Sequence, residues 1–183
     1  MKGRLRLAVA IAVVAALAVV VTTAIAGGGN DIRERLTGYE EDPKTISTTG
    51  SGTFNAWIDE SGKISYRLSY ENLEGDVTQA HIHFGGRHQS GGISVFLCSN
   101  IGSPVPTPAC PRQPGSVSGT LKAADVIGPA DQGIAAGEFA ELVDAIRAGV
   151  TYANVHSTLY PAGEIRAQLE RGRHTWDGHL AKR

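Results

Sequence analysis

Ile64-Ser65-Tyr66-Arg67-Leu68-Ser69-Tyr70 alternates apolar and polar residues without a break. Successive side chains on an extended strand point to opposite faces, so Ile64, Tyr66, Leu68 and Tyr70 share one face and Ser65, Arg67 and Ser69 the other. One apolar and one polar face predicts a strand in an antiparallel sheet with one side buried and one side wet. The residues just before it repeat the pattern. Phe54, Ala56 and Ile58 share a face over 52–59, and Asp59-Glu60-Ser61-Gly62 is a turn cluster. Two alternating runs joined by a short Gly-containing loop predict a hairpin.

Working outward, further short strands are expected at 31–39, 77–84, 93–97, 116–121, 151–156 and 163–169. Only one segment has helical period: Phe139, Leu142, Val143 and Ile146 fall at i, i+3, i+4 and i+7. Gly149 stands where a left-handed residue would end that helix, and Arg147 suits its last turn. Many short strands and one helix predict an all-β domain over 31–169. The expected fold is a Greek-key antiparallel β-sandwich, with the short α-helix covering an end.

The first residues read as an export signal, drawn as a hydrophobic helix. Lys2, Arg4 and Arg6 precede an apolar run from Leu7 to Val21, and Ala24-Ile25-Ala26 offers a cleavage site. The run also approaches the ~20 residues that cross a bilayer, so residues 1–26 are a signal peptide or a retained membrane anchor. Either way the domain is expected outside the cytoplasm. Cleavage would remove three of the 17 Lys+Arg and none of the 18 Asp+Glu, leaving a net charge near −4. No basic stripe remains, which argues against nucleic acid as a partner. Residues 170–183, with His174, His179 and Trp176, are expected to form a flexible tail. Cys98 and Cys110 flank a Pro/Ser/Gly-rich stretch, and an even count in an exported chain predicts a disulfide worth ~3 kcal/mol. Redox chemistry is the rival reading, and there is no Cys-x-x-Cys motif to support it.

Chemistry concentrates in Ala80-His81-Ile82-His83-Phe84-Gly85 and Asn154-Val155-His156-Ser157. His81 and His83 share a face of their strand. If the strand carrying His156 packs nearby, three imidazoles converge, a donor set suited to copper or zinc. His88, in the following Gly-rich loop, is close enough in sequence to join them. Asn154 and Glu164 are candidate hydrogen-bond acceptors for fixing the ligands' tautomers. Two other readings stand beside the metal: a hydrogen-bonded polar cluster that orders the fold, and a small-ligand site.

The order of segments resembles the CHRD domain family, extracellular modules named for their occurrence in chordin. The matching pieces are Leu36-Thr37-Gly38, the hairpin from Gly52 to Tyr70, Ala80-His81-Ile82-His83 and Gly119-Thr120-Leu121. They continue with Ile146-Arg147-Ala148-Gly149, Tyr152 to Ser157, and Pro161-Ala162-Gly163-Glu164-Ile165-Arg166-Ala167-Gln168-Leu169. The resemblance covers about residues 31–169 and implies an extracellular β-sandwich without an agreed catalytic activity. Two features depart from the family pattern: Phe84 intervenes before Gly85, and the cysteine insert is long.

Three functions follow as expectations. The first is a metal-binding module, the second a module recognising an extracellular protein or glycan through Arg87-His88-Gln89 and the loop from Ser103 to Pro114. The third is a copper-dependent redox enzyme like copper–zinc superoxide dismutase, whose fourth histidine and second metal cluster have no counterpart here. Other enzyme classes find no support. No Gly-x-Ser-x-Gly or phosphate-loop motif is present, and Ser157 and His156 face opposite ways on a strand.

Overall fold

The computed structural model describes residues 30–172. The expected signal or anchor segment, and His174, Trp176 and His179 of the expected tail, lie outside the described residues. Eight strands form: β1 (Asp31–Thr37), β2 (Ser51–Ile58), β3 (Ile64–Glu71), β4 (Val77–Phe84), β5 (Gly92–Ser99), β6 (Gly115–Leu121), β7 (Thr151–Ser157) and β8 (Ile165–Gln168). The α-helix α1 spans Phe139–Arg147. Strand β1 stops two residues short of the expected end because Gly38–Glu40 turns into a 3-10 helix. There a β-carbon on Gly38 would collide with the Ile46 carbonyl.

All strand pairs are antiparallel, and they join in one continuous sheet of order β5-β4-β7-β8-β1-β2-β3-β6. The all-β antiparallel class is therefore as expected, with the layers made by two halves of a single sheet curled nearly into a barrel. Inward residues of both halves share one core. Leu36, Phe54 and Leu68 come from one half and Ile82, Val155 and Ile165 from the other, all but shielded from solvent. Burying an aliphatic or aromatic side chain of this size stabilises by about 1.5–3 kcal/mol.

Where β6 approaches β5 the sheet is bridged without a ladder. Tyr66 and Tyr70 of β3 lie opposite Gly119 and Gly115 of β6, which leave room for their rings. The Tyr66 hydroxyl donates to the Leu97 carbonyl of β5 at 3.3 Å, and that of Tyr70 to the Pro111 carbonyl at 2.6 Å. The Cys98–Cys110 disulfide forms, tying β5 to the loop that leads into β6. The outer edge of β5 is itself covered. Ser99 N–H donates to the Pro108 carbonyl, Ile127 N–H to the Ser94 carbonyl, and Val95 bridges Val126.

Helix α1 forms where its spacing predicts and buries Leu142, Val143, Ala145 and Ile146 against the core. Gly149 ends it at φ 71°, with Gly149 N–H donating to Ile146 O and Val150 N–H to Ala145 O. This pair of bonds is a Schellman cap. An L-residue in that conformation costs roughly 1–2 kcal/mol. Gly149→Ala is therefore expected to lower the urea-unfolding free energy by about that amount, while an alanine at exposed Ala148's other neighbour, Arg147→Ala, changes it by less than about 0.5 kcal/mol.

Candidate metal centre

The site begins with the pairing of β4 and β7, which sets His81 opposite Asn154, His83 opposite Tyr152 and Gln79 opposite His156. Ala80, Ile82, Ala153 and Val155 point into the hydrophobic core. By alternation His81, His83, Tyr152, Asn154 and His156 point to the sheet's other face, joined there by Arg166 and Gln168 of β8. That face is nonetheless buried, because loops cover it. His81 is 1% exposed, and His83 and His156 are each 8% exposed.

Because β7 pairs directly with β4, the condition on the sequence pattern is met and the three imidazoles converge. Ring centroids are 4.7 Å apart for His81 and His156, 5.3 Å for His81 and His83, and 6.0 Å for His83 and His156. One ligand atom from each lies within 4.8 Å of the others. His88 is exposed on its loop and is not part of this group.

Hydrogen-bond partners assign the tautomers, since a carbonyl only accepts. His83 Nδ1–H donates to the Gly91 carbonyl at 2.9 Å, and His156 Nδ1–H to the Pro161 carbonyl at 3.0 Å. His156 Nε2 is therefore a lone pair, and His81 Nδ1, 3.0 Å away, is the donor to it. The Nε2 atoms of both His81 and His83 are left as bare acceptors, buried and without a partner. A buried polar group without a partner costs about 1–3 kcal/mol.

Asn154 and Glu164 serve other groups. Asn154 Nδ2–H donates to Glu41 Oε1 at 2.7 Å and to the Ile165 carbonyl at 3.0 Å. The Glu164 carboxylate accepts from Thr48 Oγ1 and the Glu74 amide, each at 2.7 Å. The acceptors that orient the rings are main-chain carbonyls, which no residue-type pattern announces.

The surrounding shell also escapes motif reading. Tyr152 stacks on His83 with centroids 4.7 Å apart and planes 3° from parallel, and the Arg166 guanidinium lies 3.5 Å from the Tyr152 centroid. Phe96 of β5 packs its ring 4.4 Å from His81. Arg166 donates to the carbonyls of Gly86 and Gln89, and Gln168 to that of Gly85, so the loop 85–91 is held down over the site. The one available signal is period two: Tyr152, Asn154 and His156, then Arg166 and Gln168, alternate with Ala and Ile or Val.

Burial sets the electrostatics. Desolvation, reinforced by the neighbouring imidazoles, holds His81 down at about 2. Desolvation holds His83 at about 4 against the opposing Gly91 bond, and lowers His156 in the same sense. All three rings are neutral near pH 7, the form that ligates metals. Glu41 is pushed up to about 8 by burial, although its bond from Asn154 works against this.

These shifts have opposite signs for stability. The unfolded chain protonates its histidines near pH 6.5, so the histidine contribution is full above that pH and is lost as pH falls toward 4. Glu41 is protonated in the folded state between 4.5 and 8, so its contribution is lost as pH rises through that window. His83→Asn keeps a donor near the Nδ1 position and removes one titrating ring. In chelator, the wild type is expected to lose up to about 1.4 kcal/mol per pH unit more than this variant between pH 6.5 and 4. Equal slopes in urea denaturation would show that His83 is not held neutral.

A model of the CHRD domain family matches residues 32–169, most of the chain, and the chain belongs to that family. No curated protein and no solved structure matches it.

Proposed function

We propose that this CHRD-domain chain is an exported binding module in which His81, His83 and His156 hold a divalent copper or zinc ion. The observation that carries the reading is the pair of buried Nε2 lone pairs on His81 and His83 that no protein donor reaches. Five other buried polar atoms also lack a partner among the described residues, Gln168 Oε1 on the same face included, and what sets these two apart is that they sit on neutral imidazoles that converge with a third. Carbonyl-held Nδ1–H groups on His83 and His156 are also the usual outer support of an imidazole ligand.

The spacing is compatible with an ion at modest cost. Ligands ~2.0–2.1 Å from a tetrahedral ion lie about 3.3 Å from one another. One nitrogen from each ring lies within 4.8 Å of the others, and His156 Nε2 would exchange its present bond from His81 Nδ1–H, at 3.0 Å, for the ion. Once bound, the ion supplies a Lewis-acidic cross-link between β4 and β7. The residues' own part is to present neutral nitrogens, fix two rings through carbonyls, and exclude water through the covering loop.

The extracytoplasmic assignment rests on the N-terminal apolar segment, as signal or anchor, and on the disulfide, which persists in oxidising compartments. The crossovers from β3 to β4 and from β5 to β6 we read as Greek-key connections. Recognition of an extracellular protein or glycan belongs to the same reading of a rigid exported module. A superoxide-dismutase-like activity is less well supported, because a small substrate would have to pass the loop 85–91 to reach rings at most 8% exposed.

Untagged protein purified from the envelope or medium is expected to carry copper or zinc by elemental analysis. After chelation, either ion at 100 times its Kd is expected to restore about 2.7 kcal/mol of stability. His83→Asn and His156→Asn each remove the ligating Nε2 while keeping a donor for the carbonyl, and are expected to abolish the metal-induced rise in Tm. Metal-free protein with no thermal shift from either ion would overturn the assignment.

A further inference from the structure

The two halves of the sheet treat their outer faces differently. Behind β4, β7 and β8 the outer face is roofed by loops, whereas the outer face of β1, β2, β3 and β6 is open. The registers place its residues in cross-strand rows. Arg33, Asn55, Arg67 and Ser118 form one row, flanked by Arg35, Thr53, Ser69 and Ser116 on one side and by Asp31, Trp57, Ser65 and Thr120 on the other. Almost every member is exposed, including Trp57, whose surface is half accessible. The face is thus a hydroxyl- and amide-rich plane carrying one large aromatic and three arginines.

Two shallow depressions run along this plane. One, of ≈ 300 Å³, has Trp57, Asn55, Arg33 and Arg67 in its lining. The other, of ≈ 610 Å³, has Arg35, Thr53, Ser69 and Ser116 in its lining. From Trp57 to Ser51 the floor extends roughly 20 Å along β2. Arg35 and Arg67 make no ion pair among the described residues, and Arg33 reaches only Asp31, at 3.4 Å on the surface. Exposed pairs of that length contribute little. In a chain with an acidic balance, this leaves guanidinium groups unneutralised around a central amide.

We propose that this open face binds an acidic, carboxylate-bearing polysaccharide, with Trp57 stacking on a sugar ring and Arg67 and Arg35 holding uronate carboxylates. The indole presents a flat, electron-rich face to the C–H groups of a pyranose ring. Each guanidinium is a planar fork that matches a carboxylate with two parallel hydrogen bonds. Asn55, Thr53 and Ser69 supply donors and acceptors of the kind that sugar hydroxyls pair with. A protein partner would call for a cluster of apolar anchors, and the plane has one aromatic. Nucleic acid would call for a longer basic track, and Asp31 and Glu71 bound this one at either end.

The test uses the full exported chain, untagged and in EDTA, so that the histidine centre plays no part. The probes are oligogalacturonate and hyaluronan oligomers, with maltooligosaccharide of equal length as the neutral control. Binding is read by tryptophan fluorescence and by affinity electrophoresis. Saturable binding of at least one uronate is expected, weaker by about tenfold or more in Trp57→Ala and in the Arg35→Gln/Arg67→Gln double variant. Both variants change exposed residues and are expected to keep the wild-type Tm, and His83→Asn is expected to bind like the wild type. Binding of neither uronate would overturn the proposal, as would equal binding of the neutral control or affinity unchanged in the variants. A dimer dispersed by Trp57→Ala, with no sugar bound, would overturn it in favour of a self-association face.

Discussion

The pairing of β4 with β7 is the constraint on which the rest of the molecule depends. Each of these strands serves two interiors at once. Ala80, Ile82, Ala153 and Val155 face an apolar core, while His81, His83, Asn154 and His156 face a polar layer on the opposite side. Period two makes this division unavoidable. A slip of one residue in either strand would send imidazoles into hydrocarbon and aliphatic side chains into the polar layer. The register is therefore fixed from both sides of the sheet, and the histidine geometry inherits that rigidity.

Polar burial then explains why the covering loops are ordered. Arg166 and Gln168 are nearly fully buried on the same face, and their donors end on the carbonyls of Gly85, Gly86, Gln89 and Gly149. His83 and the Tyr152 hydroxyl hold Gly91 by its carbonyl and its amide. Each of these contacts satisfies a strand side chain and a loop main-chain group together, so loop and sheet stabilise one another. The arrangement spreads the cost of a buried guanidinium over several acceptors and an aromatic face. Among the atoms it leaves over are the two imidazole nitrogens, together with Gln168 Oε1.

Much of this was legible in the residues. Alternation at Ile64–Tyr70 gave the faces of β3, and Gly149 marked the end of α1 because a left-handed residue is needed there. The two histidine segments pointed to one another, and they do meet. Alternation reports which face a side chain takes but not which strand lies alongside. The single curled sheet and its order came only from long-range pairing. The ring-orienting groups were hidden for a different reason: the carbonyls of Gly91 and Pro161 belong to the main chain, which every residue possesses. Asn154 and Glu164 had suitable chemistry for that role, but Glu41 and Thr48 reach from the 38–50 segment and engage them instead. Trp57 alternates with Phe54, Ala56 and Ile58, so period two puts it on the wet face, but the arginines and hydroxyls around it come from strands that only long-range pairing brings alongside.

The covered edge of β5 bears on what the sheet offers to other polypeptides. An uncovered strand edge is a row of main-chain donors and acceptors open to any extended peptide. Here Pro108 and the Val126–Ile127 segment occupy that row, and the disulfide keeps the 98–110 loop in place to do so. The proline-rich insert, expected from its composition as a contact loop, thus also caps part of a strand edge. The same loop carries Cys110, and its far end anchors the core through Pro111, whose carbonyl takes the Tyr70 hydroxyl, and Gln113, which pairs with the Leu73 main chain.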